Sequence, residues 1–169
     1  MGAGKTTVGR KLARILHLDF VDTDQILEQR TGVSISHIFE IEGESGFRDR
    51  ESRVLEEVSG GPQAVISTGG GIILRPENRK IMRKSGRIVY LRATLEILWH
   101  RLKDCQTRPL LQSPEPRKKL AELLTERDPV YTEEADYIVN VSGDSAYKTA
   151  QRVRRMISNP QTVAGVARG

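Results

Sequence analysis

Val8, Leu12, Ile15 and Leu16 recur at the spacing of one helix face, so the first regular element reads as a helix entered straight from a glycine-containing start. Phe20-Val21 then forms a short strand ending at Asp22-Thr23-Asp24, and a helix through Ile26 and Leu27 is expected to stop at Gly32. A helical stretch is predicted over about 34–41. Beyond Gly43 a longer one carries Phe47, Val54, Leu55 and Val58 on one face until Gly60-Gly61-Pro62 ends it. Ala64-Val65-Ile66-Ser67 is a short apolar run bounded by turn residues, the pattern of a strand buried on both faces. Pro76 suits the first position of a helix closing near Gly86, Arg87 to Leu91 reads as the next strand, and Thr94 can cap the helix after it. Leu120, Leu123 and Leu124 mark a further helix, expected to end at Arg127. Tyr137 to Val141 reads as the last strand, and Ala146, Ala150, Val153 and Ile157 as the last helix.

Strands alternating with helices predict an α/β fold: a parallel sheet covered on both faces, with ligands bound beyond the strands' C-terminal ends. The chain of 169 residues suits one domain, expected over 1–157, with a frayed tail at 158–169. Proline and polar residues make about 105–117 the expected mobile loop. No apolar run approaches a membrane span, so no membrane association is expected. The lone Cys105 excludes an internal disulfide framework and suits a reducing compartment, and a cytoplasmic location is expected. A net charge of +5 raises the question of nucleic acid, but the basic residues are spread over helices and only 5% of residues are aromatic. Small anionic ligands account for the charge more economically.

The start of the chain says which anions. Met1-Gly2-Ala3-Gly4-Lys5-Thr6-Thr7 matches the second half of the phosphate-loop signature G-x-x-x-x-G-K-[ST], and the required helix follows it. Gly2 and Gly4 permit backbone conformations in which successive amides converge on phosphate oxygens, Lys5 can reach the outer phosphates, and the Thr6 hydroxyl can ligate Mg2+. The same residues formally match the myristoylation pattern, but the loop explains each of them and no second membrane signal accompanies it. The signature's first glycine falls two residues upstream of Met1, with a buried strand before it, so the chain is expected to start inside the motif. Four or so large apolar side chains on such a strand are worth about 6 to 12 kcal/mol, against a total stability of about 5 to 15 kcal/mol. Without that strand the fold is expected to be marginal.

The remaining polar groups sit at predicted strand ends and in loops. Asp22 and Asp24 lie on one turn, where helix capping competes with a shared role in a pocket. Arg48 and Glu51 are three apart on a helix, a spacing usually explained by a surface ion pair. Three consecutive glycines, Gly69 to Gly71, at a strand end suit close approach of backbone to a ligand. Arg108 lies in the proline-rich loop, and Arg127 precedes Tyr131 by four residues. Cations gathered beside two acids suit phosphoryl transfer to a small anionic acceptor.

With these motifs in order, the chain resembles the shikimate kinases from Met1 to about Ile157. The match rests on G-A-G-K-T-T, D-T-D at Asp22 to Asp24, F-R-D-R-E at Phe47 to Glu51, the triple glycine, R-P-L-L at Arg108 and R-D-P-V-Y ending at Tyr131. The resemblance implies a P-loop kinase-type three-layer fold whose five-stranded parallel sheet would here lack its first strand. It implies ATP-dependent phosphorylation of the shikimate 3-hydroxyl, with Mg2+, by a monomer. Gly2, Ala3, Gly4, Lys5, Thr6 and Thr7 would hold the nucleotide phosphates, Thr6 and Asp22 would serve the metal, and Arg101 would stack on adenine. Asp24 would hold the accepting hydroxyl as base or orienter. Arg48 and Arg127 would grip the shikimate carboxylate, Glu51 would position Arg48, and Gly70 and Gly71 would offer backbone to the substrate. Lys5, Asp24 and Arg108 would carry the chemistry, Arg108 closing on the transferring phosphate. Three rival readings stand beside this one: another small-metabolite kinase such as gluconate kinase, against which the triple glycine and F-R-x-x-E argue; a catalytically impaired metabolite-binding module; and, more weakly, nucleic-acid binding.

Overall fold

Gly4 takes a left-handed conformation (φ 88°) and hands the chain directly to the first helix, α1 (Lys5–Leu16). A computed structural model describes residues 2–103 and 113–159. After α1 come β1 (Asp19–Asp22), α2 (Thr23–Thr31), α3 (Ile35–Ser59), β2 (Ala64–Ser67), a 3-10 turn (Ile72–Leu74), α4 (Pro76–Ser85), β3 (Val89–Ala93), α5 (Leu95–Leu102), α6 (Pro116–Glu134), β4 (Tyr137–Val141) and α7 (Ala146–Ser158). Local chemistry sets many of these boundaries. Asp22, Ser34, Thr94 and Ser145 each accept hydrogen bonds from first-turn amides of the helix that follows. Pro76 and Pro116 open helices where a missing N–H costs nothing.

The helical stretches expected on either side of Gly43 form one element bent at that glycine, whose backbone (φ 67°, ψ −176°) leaves the helical region. A clearer departure concerns α6. Its expected end at Arg127 is wrong: the helix runs through Pro129 to Glu134. An interior proline removes one helical hydrogen bond and costs about 3 kcal/mol. Offsetting this, Leu120 and Leu123 are buried, and Glu134 is buried against Arg79 and Arg83 of α4. Arg127 and Tyr131 therefore lie one turn apart on a single helix.

All four predicted strands are present and their pairings are parallel. They form two pairs: β1 with β2, matching Asp19 to Ala64 through Asp22 to Ser67, and β3 with β4, matching Val89 to Tyr137 through Ala93 to Val141. No described strand joins β2 to β3. Residues of both line a groove of about 370 Å³, walled also by Val8 and Leu12 of α1. The main core joins α1, β3, β4, α5, α6 and α7 through Leu12, Leu91, Leu98, Leu120, Val139 and Val153. A second cluster of Leu27, Ile38, Phe47 and Val54 fixes α2 against α3. Asp22 and Ser67, the last residues of β1 and β2, line one cavity with the N-terminus of α1, and the polar residues collect there.

Candidate active site

Two glycines give the phosphate loop its shape. Gly2 (φ 72°) and Gly4 (φ 88°) both occupy the left-handed region that residues with a β-carbon rarely adopt. The loop delivers Lys5 and Thr6 into the first turn of a twelve-residue helix, whose N-terminal amides and dipole favour an anion. Ala3 faces inward as part of the core. From the other side, Arg101 of α5 donates to the Gly2 carbonyl (3.2 Å), tying α5 to the loop.

A cavity of about 270 Å³ opens from this loop. Gly2, Gly4, Lys5, Thr6 and Thr7 line one end of it. Asp22, Asp24, Arg48, Glu51, Gly70, Gly71 and Arg127 line the rest, so residues scattered over more than a hundred positions meet in one place. Arg108 lies outside the described residues.

Asp22 resolves the choice between capping and pocket by doing both. One carboxylate oxygen accepts the Thr6 hydroxyl at 2.8 Å, and the other accepts the amides of Asp24 and Gln25 at the start of α2. The Thr6–Asp22 pair puts two hard oxygen ligands beside the phosphate loop. That donor set fits Mg2+, which keeps most of its shell for water and phosphate and takes only one or two protein oxygens. Among the described residues no cluster of three or more His, Cys, Asp or Glu side chains could form a dedicated metal cage.

The Arg48–Glu51 spacing turns out to be no surface pair. Arg48 is 7% exposed and Glu51 fully buried, with a hydrogen bond of 2.8 Å between them. Burial pushes the Glu51 carboxyl above its usual range, Arg48 opposes that shift, and Asp24 adds to it. Glu44, one turn earlier on α3, also accepts from Arg48 (2.9 Å), and the Arg48 guanidinium lies over the Phe47 ring at 5.3 Å. Neither contact was anticipated from the sequence, although Glu44 stands four residues before Arg48, the spacing of a helical ion pair. Two buried polar atoms on the cavity wall, Glu51 Oε1 and Arg127 Nε, have no hydrogen-bond partner among the described residues. Such groups are costly to bury unless a ligand completes them.

The triple glycine owes part of its composition to crowding by side chains. A β-carbon on Gly69 would overlap Glu51 and stand 3.0 Å from Asp24 Oδ1, and one on Gly71 would overlap the Arg48 guanidinium. Gly71→Ala is therefore expected to displace Arg48 and cost about 1 to 3 kcal/mol of stability, read as a lowered urea midpoint.

The shikimate kinase family model matches residues 1–158. The chain belongs to the shikimate kinase family. It is 48% identical to the shikimate kinase of Halorhodospira halophila over 153 residues, covering 90% of this chain and 86% of that one. The shikimate kinase of Cupriavidus pinatubonensis is 50% identical over 153 residues, 90% of this chain and 80% of the relative. Among solved structures, shikimate kinase from Acinetobacter baumannii in complex with shikimate superimposes with a TM-score of 0.93 at 42% identity, over 96% of this chain and 90% of that one. Shikimate kinase from Bacteroides thetaiotaomicron does so at 0.85 and 36% identity, covering 94% of each chain. The shikimate kinase fold, a P-loop kinase-type α/β architecture, is thus the fold of this chain, and the family is one of phosphotransferases that use ATP. Among the described residues no helix is long and apolar enough to cross a membrane.

Proposed function

We propose that this chain transfers the terminal phosphoryl group of ATP to the 3-hydroxyl of shikimate within the 270 Å³ cavity. The observation that carries the reading is the convergence of three chemistries on that cavity: a phosphate loop, an acid, and two buried arginines with one guanidinium nitrogen unpartnered. Lys5 and the loop amides hold the nucleotide phosphates, and the Thr6–Asp22 pair serves Mg2+. When bound, Mg2+ supplies charge neutralisation at the phosphate oxygens. Arg101, already bonded to the loop's Gly2 carbonyl, flanks the nucleotide on the adenine side. Arg48 and Arg127 take the shikimate carboxylate, Glu51 holds Arg48 in place, and the Gly70–Gly71 backbone contacts the ring hydroxyls. Asp24 receives the proton of the attacking hydroxyl or orients it.

Phosphoryl transfer passes through a loose transition state, so positioning and charge stabilisation outweigh covalent help. Arg108 is the residue proposed to close over the transferring group and exclude water that would otherwise accept it. The chain is proposed to work as a cytoplasmic monomer.

A coupled assay for ADP release tests the assignment: release should require both ATP and shikimate, and gluconate should not substitute. Shikimate-independent turnover, or turnover with gluconate alone, would overturn it. Arg127→Ala is expected to cost about 1.5 to 3 kcal/mol in shikimate binding, the worth of a charge-assisted contact. An unchanged shikimate KM in that variant would remove Arg127 from the carboxylate site.

A further inference from the structure

Tyr131 stands outside every role assigned so far. Because α6 continues through Pro129, Tyr131 falls one turn after Arg127 on the same helix. Its hydroxyl donates to the carbonyl of Gly70, reaching across 61 positions to the glycine loop. Burial pushes the Tyr131 hydroxyl above its usual range, and the positive charge of Arg127 opposes that shift. Behind the ring, Tyr90 of β3 packs at 4.8 Å between centroids, and its own hydroxyl donates to Asp128 at 2.8 Å. Arg92 closes the network on Asp128. The phenol is thus braced on a strand and aimed at a loop.

The chemistry of that loop explains why the brace matters. In a planar trans peptide the carbonyl and the following N–H point in opposite directions. Holding the Gly70 carbonyl toward Tyr131 therefore turns the Gly71 N–H to the side away from it. Glycine stands on both sides of this peptide, so the side-chain sterics that would otherwise restrict its rotation are missing. The Tyr131 hydroxyl restrains that rotation by its hydrogen bond to the Gly70 carbonyl. Gly70, Gly71 and Arg127 line the cavity, whereas Tyr131 does not.

We propose that Tyr131 is a positioning residue for the acceptor: its hydroxyl fixes the Gly70–Gly71 peptide in the orientation that meets shikimate. This rests on the reading of Arg127 and the glycine loop as the shikimate site. Tyr131→Phe keeps the ring packed on Tyr90 and removes only the hydroxyl. In the full chain it should raise the shikimate KM about 3- to 10-fold, the range for one lost hydrogen bond, while the ATP KM changes less than twofold. Tyr90→Phe is the structural control: it should lower the melting temperature with the shikimate KM unmoved. Arg127→Ala with Tyr131→Phe should raise the shikimate KM by less than the product of the single effects, because Arg127 and the Gly70–Gly71 peptide line one cavity and hold one acceptor.

An unchanged shikimate KM in Tyr131→Phe, or equal rises for ATP and shikimate, would overturn the proposal. If Arg127→Ala raises the shikimate KM and Tyr131→Phe does not, the positioning role alone fails. If Arg127→Ala also leaves it unchanged, the carboxylate site itself is wrong.

Discussion

Asp24→Asn is expected to lower kcat by about 10²- to 10⁴-fold with the fold intact, the range in which a positioned acid–base group contributes. Asp24 sits in the first turn of α2, lines the cavity, and approaches the α-carbon of Gly69 so closely that a β-carbon there would stand 3.0 Å from its Oδ1. The asparagine amide is nearly the same size, so packing against Gly69 survives, but it cannot take the hydroxyl proton. Because the transition state is loose and the base matters less than alignment, an effect near the lower end would identify Asp24 chiefly as an orienter. Steady-state kinetics, with near-ultraviolet circular dichroism as the control for folding, decide the matter. A kcat close to that of the unaltered chain would remove Asp24 from the chemistry.

Arg48→Met should produce the largest loss of stability, about 3 to 5 kcal/mol near neutral pH, because it strips the cation from a fully buried carboxylate. The loss should depend on pH in a definite direction. Burial already raises the pKa of Glu51 in the folded chain, and removing Arg48 raises it further. Below the ordinary glutamate pKa of about 4.3 the group is protonated whether folded or not, and its charge costs nothing. As pH climbs through the raised folded value, the unfolded carboxyl ionises more readily than the folded one, and stability falls. Urea midpoints at about pH 5 and about pH 7.5 should therefore differ more in Arg48→Met than in the unaltered chain, with the variant nearer to it at the acid end. A deficit independent of pH would mean that Glu51 finds another partner. Glu44 on its own cannot mask the effect, since it is itself an anion on the far side of Arg48.

Much of the site was legible because its chemistry demands particular residue types at fixed spacing. The Gly4-Lys5-Thr6 loop is followed by a helix as read, and the two acids stand at the end of β1 and in the turn that opens α2. The strands at 64–67 and 137–141 kept their boundaries, since an apolar run flanked by turn residues fits few alternatives. Where local rules misled, tertiary contacts outweighed them. The helix was expected to end at Arg127, yet burial of Glu134 among the arginines of α4 carries it past Pro129. Spacing alone made Arg48 and Glu51 a surface pair, and only the packing of α3 beneath the glycine loop buries them.

The sequence by itself determined the α/β element order, the phosphate loop and the set of polar residues available for chemistry, because periodicity, turn residues and short motifs act over a few neighbouring positions. The tertiary structure decided which of those residues share a cavity, which ion pair is buried, and that Tyr131 reaches Gly70. Contacts between positions tens of residues apart depend on how strands and helices stack, and no local pattern encodes that distance.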